Sequence, residues 1–511
     1  MESITLLFTL LFATIIYILF ETQRKKSNLP NGSIPLPGPK PLPIIGNLHQ
    51  LKGLSYQGFV DEFTKKYGPI FQVRFGANPW VVINDYEIIR DLLIKRGSIY
   101  SSRPFNEAST RIYYEGGKNI GFSPYGKYWR AMRALAHQAL TQKMVDNNYR
   151  FDPTKDMRLS LIDLLATISY GQKSENLSQK IEQMIFEFGE ILNPRNYYIE
   201  MFPWLKYFPF LANRLYSFAY KAKALVREIS TELLKDLRQR LQENDGEENS
   251  FAALVLKNMD ISSTIVTKPY EDSLELDEDN SFTFDEVDFM NLNNSFLISG
   301  TGTTVSAIRW SGYAILVNHP EVQRKIQKEL DECLQGNRFP SPQDDPKLPY
   351  LHATVKECFR YRPDRNFLLQ HSTTKDDIYR GYHIPAKSTI LVSYKSAHTS
   401  EKLFERPNEF YPEHYLDENG QLRKYDELRD PWAFGKGRRA CVGQHLAERN
   451  LLTTISYVLT LFDIENDIDQ TGNPIKLNLK YVESDQEGKE PYKLRFVPRS
   501  GVTLEKIMQM N

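Results

Sequence analysis

Between Phe434 and Gly443 the chain reads Phe-Gly-Lys-Gly-Arg-Arg-Ala-Cys-Val-Gly, and no other segment constrains the fold so tightly. Gly435, Gly437 and Gly443 permit tight backbone conformations and let the main chain approach a flat neighbour closely. A helical segment, Gln444-His445-Leu446-Ala447-Glu448, follows at once. Cys441 therefore stands near a helix N-terminus with Arg438 and Arg439 beside it. Both surroundings favour a thiolate, so the spacing predicts a lowered thiol pKa. Such a sulfur is a metal ligand or a nucleophile; the plainer alternative is a buried structural cysteine in a glycine-rich turn.

The other cysteines are Cys333 and Cys358. Three cysteines without a Cys-x-x-Cys pair offer neither a zinc site nor a disulfide framework, which fits a reducing compartment. Lys+Arg and Asp+Glu both number 64, so net charge argues neither for nor against nucleic acid. At the N-terminus, Ser3 to Phe20 carries no charge. A helix of that length spans about 27 Å, close to a bilayer core of about 30 Å. Glu2 precedes the run, and Arg24, Lys25 and Lys26 follow it. That order favours a retained anchor over a cleaved signal peptide and puts the rest of the chain on the cytoplasmic side. Residues 1–22 thus read as an anchor, 23–43 as a basic, proline-rich spacer, and 44–511 as the catalytic domain.

Helical periodicity runs through 156–167, 180–192, 219–242, 284–317 and 319–335, while 70–85 and 378–393 carry strand patterns around turns. The expected class is mainly α with a small β region. The polar 258–286 stretch reads as an acidic surface loop. The aromatic 201–212 stretch is either core packing or a surface that dips into a membrane.

Phe434, Gly437, Arg439, Cys441 and Gly443 fill the pattern FxxGxRxCxG, which resembles the haem-binding signature of the cytochrome P450 family. Three further segments resemble that family's motifs in the same order along the chain. Trp129 and Arg133 match WxxxR of its C helix, one helical step apart. Ser299-Gly300-Thr301-Gly302-Thr303-Thr304 resembles the AGxDT motif of its I helix, with Ser299 for the alanine and Gly302 for the acid. Glu357 and Arg360 match ExxR of its K helix. The arginine that usually completes this pair, in a PERF motif, is replaced by His414.

The resemblance implies the cytochrome P450 fold, preceded by one transmembrane helix. It implies haem b held by Cys441 as axial ligand of the iron, with Trp129, Arg133, Arg439 and His371 toward its propionates. Thr303 matches the oxygen-activation threonine, and Gly302 leaves proton delivery to water, Thr301, Thr304 or a more distant group. The glycines at 300 and 302 are expected to soften the helix locally. Position in the family pattern points to Ser299, Phe105, residues 109–121 and Asn366, Phe367, Leu368 and Leu369 as the substrate wall, with Asp364 and Arg365 as polar departures. Lys127, Arg130, Lys436 and Arg438 are the expected docking face for an acidic reductase. The implied activity is hydroxylation of a lipophilic molecule with O2 and electrons from NADPH. Those electrons would come through NADPH–cytochrome P450 reductase at the endoplasmic reticulum membrane, with no nucleic-acid partner. The segment Gly443-x-His445-Leu446-Ala447-Glu448-Arg449 resembles fungal members. Two alternatives stay open: a haem-thiolate isomerase or dehydratase that needs no O2, and a non-catalytic haem-binding protein.

Overall fold

The computed structural model describes residues 29–52, 54–146, 157–171, 175–192, 198–243, 248–258, 284–336, 338–363, 366–477 and 493–502. The helices that matter for the site are α1 (Tyr56–Tyr67), α2 (Lys127–Asp146), α3 (Met157–Tyr170), α4 (Glu175–Leu192), α5 (Ser217–Glu243), α6 (Phe251–Asn258), α7 (Glu286–Ser306), α8 (Pro320–Leu334), α9 (Pro349–Tyr361) and α10 (Gln444–Leu461). Four of the five periodic stretches coincide with one of them, α3, α4, α5 or α8, and 284–317 covers α7 and its continuation to Leu316. Their ends follow local chemistry. Helix α7 opens with a reciprocal cap, the Asp285 and Asp288 carboxylates each accepting the other's backbone N–H at 2.9 Å. Helix α8 has Pro320 in its first turn and ends at Gln335, whose φ is +52°.

The strands are β1 (Ile34–Pro35), β2 (Ile70–Phe75), β3 (Asn78–Ile83), β4 (His371–Ser372), β5 (Asp377–Tyr379), β6 (Tyr382–Ile384), β7 (Thr389–Val392), β8 (Phe462–Asn466) and β9 (Leu494–Pro498). The main sheet has the order β2-β3-β7-β4, with Val81 opposite Ile390 in the parallel β3–β7 pair and His371 opposite Ile390 in the antiparallel β4–β7 pair. Apolar residues of α3 to α7 form one core, and those of α8, α9 and α10 form a second. Helix α7 and its continuation belong to both, which puts this helix through the centre of the molecule.

Two expectations need correction. The proline-rich stretch is not a free spacer. Strand β1 pairs in parallel with β6, Leu36 is buried, and a Cβ at Gly38 would lie 2.0 Å from the Gln72 carbonyl oxygen. Prolines lack a donor and therefore suit a sheet edge, so the folded unit begins well before residue 44. The helix is also not softened at Gly300 and Gly302. It stays regular to Ser306 and widens to π geometry over Ala307–Tyr313. Leu165 and Ile185 press against the two glycines, at 3.3 and 3.6 Å from where a Cβ would stand, and this close packing holds the turns in place.

The expected anchor at 1–22, residues 259–283 of the acidic run, and Asp364 with Arg365 lie outside the described residues. Among the described residues no helix is long and apolar enough to cross a membrane.

Candidate active site

The cysteine segment is held by its own backbone first. Gly435 and Gly437 have φ of +71° and +69°, which favours glycine over any residue with a side chain. The Cys441 N–H donates to the Phe434 carbonyl at 2.8 Å, and Gly443 leads into α10. Gly437 is also a close approach, since a Cβ there would stand 2.6 Å from the Leu93 carbonyl oxygen. Of the three thiols, Cys358 is buried, Cys333 half-buried and Cys441 exposed. The protein packed around its other sides desolvates Cys441 and pushes its thiol above the ordinary value, against the pull of the Gly443 N–H and the Arg133 charge. The lowered pKa expected from the sequence is therefore not a property of the protein alone. Arg438 and Arg439 direct their hydrogen bonds elsewhere, Arg438 to the Tyr125 hydroxyl and Arg439 to the Ser101, Ile120 and Ser123 carbonyls. A coordinated cation would deprotonate the thiol outright.

Beside this segment sits a group of cations. Arg439 lies 4.2 Å from the Trp129 ring centroid, and Arg133, one helical step along α2, lies 5.7 Å from it. The Trp129 indole N–H donates to the Ile120 carbonyl at 2.9 Å. Burial, with Arg103 and Arg133 nearby, lowers Arg439 to about 8. His371 is buried, with Nδ1 at 2.7 Å from the Tyr100 carbonyl. Burial and the Arg103 and Arg439 charges push it well below its ordinary value. Among the described residues no carboxylate pairs with Arg103, Arg133 or Arg439. Desolvated cations without counter-ions call for an anion. The two propionates of a haem have the right sign and number, and with the accessible Cys441 thiol the donor set fits that group.

Arg103 was missed by the sequence reading. It donates to the Gly121, Leu369 and Gln370 carbonyls at 2.8 Å each, tying the segment before α2 to the one after α9. Its only signal is a lone charge within an uncharged stretch from Gly97 to Pro104.

The α9 pair is buried and bidentate. Arg360 donates to both Glu357 oxygens at 2.6 and 2.7 Å, and also to the carbonyls of His398, Pro407 and Glu409. Glu357 also accepts the Tyr411 N–H at 2.8 Å, while His414 Nδ1 lies 3.2 and 3.3 Å from its two oxygens. His414 therefore occupies the third position of the group. His398, unmarked in the sequence, carries the connection onward: its Nε2 accepts the Trp432 N–H at 2.9 Å, just ahead of Phe434. Burial, then the Arg360 and Lys436 charges, hold His398 down to about 3 from 6.5.

This has a pH consequence. His398 is neutral in the fold, whereas an unfolded chain takes up its proton below about 6.5. Stability is complete above that pH and falls as pH drops toward 3, by about 1.4 kcal/mol per unit for this group. Melting temperatures measured from pH 7 to pH 5 are expected to fall less steeply in His398→Gln, which retains an acceptor for Trp432 and does not titrate.

On α7, Ser299 and Thr303 are exposed in an otherwise mostly buried helix, and the Thr303 hydroxyl donates to the Ser299 carbonyl at 2.5 Å. Helix α7 packs against α10, the helix that follows Cys441. Thr301 and Thr304 are buried, and the Thr301 hydroxyl is engaged with the Leu297 carbonyl. The substrate-wall residues divide. Phe105 and Leu369 are exposed. Leu368 lies 3.9 Å from where a Gly435 Cβ would stand, and its N–H donates to Val392. Asn366 is half-buried, its carbonyl accepting the Tyr394 N–H. Phe367 instead turns toward α1, edge-on to Tyr56, and packs against the core around Phe59. Alternation along an extended segment sends it to the face opposite Leu368.

On the expected docking face, Arg130 and Arg438 are exposed and gather around Tyr125, while Lys127 is half-buried. Lys436 is not part of that surface, since it is buried over the Tyr425 and Trp432 rings.

Comparison with known proteins gives a consistent result. The profile of the family described as Cytochrome P450 matches residues 36–150 and 142–484. The cytochrome P450 monooxygenase COX1 of Coprinopsis cinerea is 31% identical, over 94% of this chain and 94% of its own length. The cytochrome P450 monooxygenase ple1 of Rhodocybe pseudopiperita is 29% identical over 91% of this chain and 88% of its own length. The cytochrome P450 monooxygenase macC of Penicillium terrestre is 26% identical over 98% of this chain and 94% of its own length.

Proposed function

The chain belongs to the cytochrome P450 family and is a haem-dependent monooxygenase that uses O2, a redox partner and a small-molecule substrate. From that premise we propose that it is a membrane-anchored enzyme of the endoplasmic reticulum, facing the cytoplasm. It takes electrons from NADPH through a flavoprotein reductase and hydroxylates a lipophilic molecule: a steroid, a fatty acid or a secondary metabolite. The observation that carries the chemistry is the accessible Cys441 thiol, next to buried and half-buried arginines that no carboxylate pairs among the described residues, just ahead of a helix that packs against the one bearing Thr303.

In this arrangement Cys441 would hold the haem iron, and Arg103, Arg133, Arg439 and His371 would hold its propionates, with the Trp129 ring beside Arg133 and Arg439. Bound haem iron supplies the redox chemistry that cleaves O2, and a thiolate ligand favours that cleavage. The remaining work falls to the chain. Thr303 would hold a water by hydrogen bond, and the Glu357–Arg360–His398–Trp432 chain keeps the cysteine segment in register. Leu368 and Phe105 offer apolar surface to the substrate. Arg130 and Arg438 offer positive charge to an acidic electron donor.

Two features support the membrane reading. One is the uncharged run from Ser3 to Phe20. The other is an exposed apolar face. Trp204, Tyr207, Phe208 and Phe210 are 52 to 84% exposed, and Leu42 and Ile44 are exposed as well. Both segments flank the turn at Gly76–Ala77, whose N–H groups donate to the Ile45 and Met201 carbonyls. Aromatic residues at such a face suit the bilayer interface, which is where a lipophilic substrate concentrates.

Substrate-dependent NADPH oxidation with purified reductase, and product detection by mass spectrometry over a steroid, fatty-acid and aromatic library, test the proposal. No product from any ligand that shifts the haem spectrum would refute it. Gly302 favours the isomerase alternative, and Thr303 with the exposed arginines favours the oxygenase. A Cβ at position 302 would meet Ile185 at 3.6 Å, an ordinary contact. An aspartate fits there, and beside an apolar side chain it would stay partly protonated and able to donate. Gly302→Asp is expected to release less hydrogen peroxide per NADPH than the parent. Equal leakage would show that proton supply is not limiting in the parent.

A further inference from the structure

The family's acid is missing at position 302, yet helix α7 carries another one. Asp288, Asn291, Ser295, Ser299 and Thr303 follow one another in steps of three, four, four and four residues, which keeps all five within about 120° on one helix face. The row extends about 22 Å at 1.5 Å per residue, from the first turn of α7 to the oxygen-activation threonine. Polar residues in the middle of a buried helix are unusual and need partners, and this row is only partly provided with them. Asn291 Nδ2 is buried and has no hydrogen-bond partner among the described residues. Ser295 donates to the Asn291 carbonyl at 2.5 Å and accepts from the buried Asn119 side chain. The Ser299 hydroxyl is exposed and has no partner among the described residues, and the Thr303 hydroxyl above it is exposed too. Water is the group that fits between such sites.

At the far end, Asp288 accepts the Tyr128 hydroxyl at 2.9 Å and the Asp285 N–H at 2.9 Å, with the Lys118 ammonium 3.7 Å away. Lys118 also pairs with Asp285 at 2.5 Å. The charged and titratable groups around the acid are thus Lys118 from the segment before α2, Tyr128 from α2, and Asp285 from its own cap. Burial raises Asp288 to about 6, so it exchanges its proton in the physiological range.

We propose that Asp288 is the proton donor that replaces the missing acid, and that Ser295 and Ser299, with intervening waters of which Asn291 holds one by its free amide N–H, pass its proton along α7 to Thr303. Each hydroxyl or water on the row accepts one proton and releases one. Asp288 regains its proton from solvent past Lys118, and the row is left unchanged after each transfer. Reduction of O2 to water consumes four electrons and four protons. Reduction to hydrogen peroxide consumes two of each. The electrons come from the redox partner in both cases. A starved proton supply therefore shows as a shift from water to peroxide.

This rests on the monooxygenase reading, and the test separates the two. The full-chain holoenzyme is supplied with NADPH and reductase without organic substrate, and peroxide released is compared with O2 consumed from pH 5.5 to pH 8. Ser299→Ala is expected to raise the peroxide-to-water ratio about tenfold, below the ~100-fold of a directly placed acid, and Ser299→Thr is expected to restore it. Asp288→Asn is expected to raise the ratio similarly and to flatten its pH dependence around 6. In the resting ferric enzyme, infrared titration should show a carboxyl band near pH 6 that Asp288→Asn removes. Parent-like ratios in both Ser299→Ala and Asp288→Asn overturn the relay alone. A parent that reduces no O2 overturns the monooxygenase reading and the relay with it.

Discussion

Cys441→Ala is expected to yield a folded protein that no longer gives the thiolate-type carbon monoxide spectrum and forms no product. The separation between fold and function follows from where the sulfur is. Its side chain is exposed, and the loop is held by the Gly435, Gly437 and Cys441 main chain, so the substitution opens no core cavity. Its cost in stability is expected to be at most about 1 kcal/mol, the level of an ordinary substitution. The cation group at Arg103, Arg133 and Arg439 is untouched, so the variant still binds some haem. Absorbance spectra of the carbon monoxide complex, with thermal melting, check both halves. A thiolate-type spectrum in the variant would overturn the assignment of the ligand.

Glu357→Ala is expected to act the other way, removing the folded holoprotein itself. Glu357 and Arg360 are 0 and 1% exposed. Loss of the carboxylate strands the guanidinium among three carbonyl oxygens and leaves the Tyr411 N–H and His414 without their acceptor. Breaking a buried pair on one side costs about 3–5 kcal/mol, a large part of the stability of a typical domain. The damage reaches the site through His398, which accepts Trp432 and whose carbonyl accepts Arg360. Arg360→Lys is expected to be nearly as harmful, since an ammonium cannot supply the fork that serves two carboxylate oxygens and three carbonyls together. Haem content per folded chain and the melting temperature measure the effect; a parent-like value of both would show that the pair does not hold the cysteine segment.

What could be read from the sequence was what depends on near neighbours. The helices were legible because their apolar spacing is local, and the cysteine segment because glycines and a following helix constrain it within ten residues. Trp129 and Arg133 were legible as a helical step. Arg103 and His398 were not, because their partners are backbone carbonyls and a backbone N–H up to 267 residues away, and no side-chain pattern marks such partners. Proline content suggested a spacer over 23–43, but an edge strand accepts prolines equally well. Lys436 looked like surface charge. The Trp432 and Tyr425 rings, far less visible as its neighbours, draw its stem inward. The regular α7 at Gly300 and Gly302 reflects Leu165 and Ile185, which helix propensity does not register.

The contact between Gly437 and Leu93 has an evolutionary meaning. The group that leaves no room for a Cβ is a carbonyl oxygen, which every amino acid possesses. Position 93 is therefore free to vary among apolar residues without relieving the restriction on 437. The two sites are neighbours that cannot covary, and a lineage has no compensating mutation available at 93 if the glycine is lost.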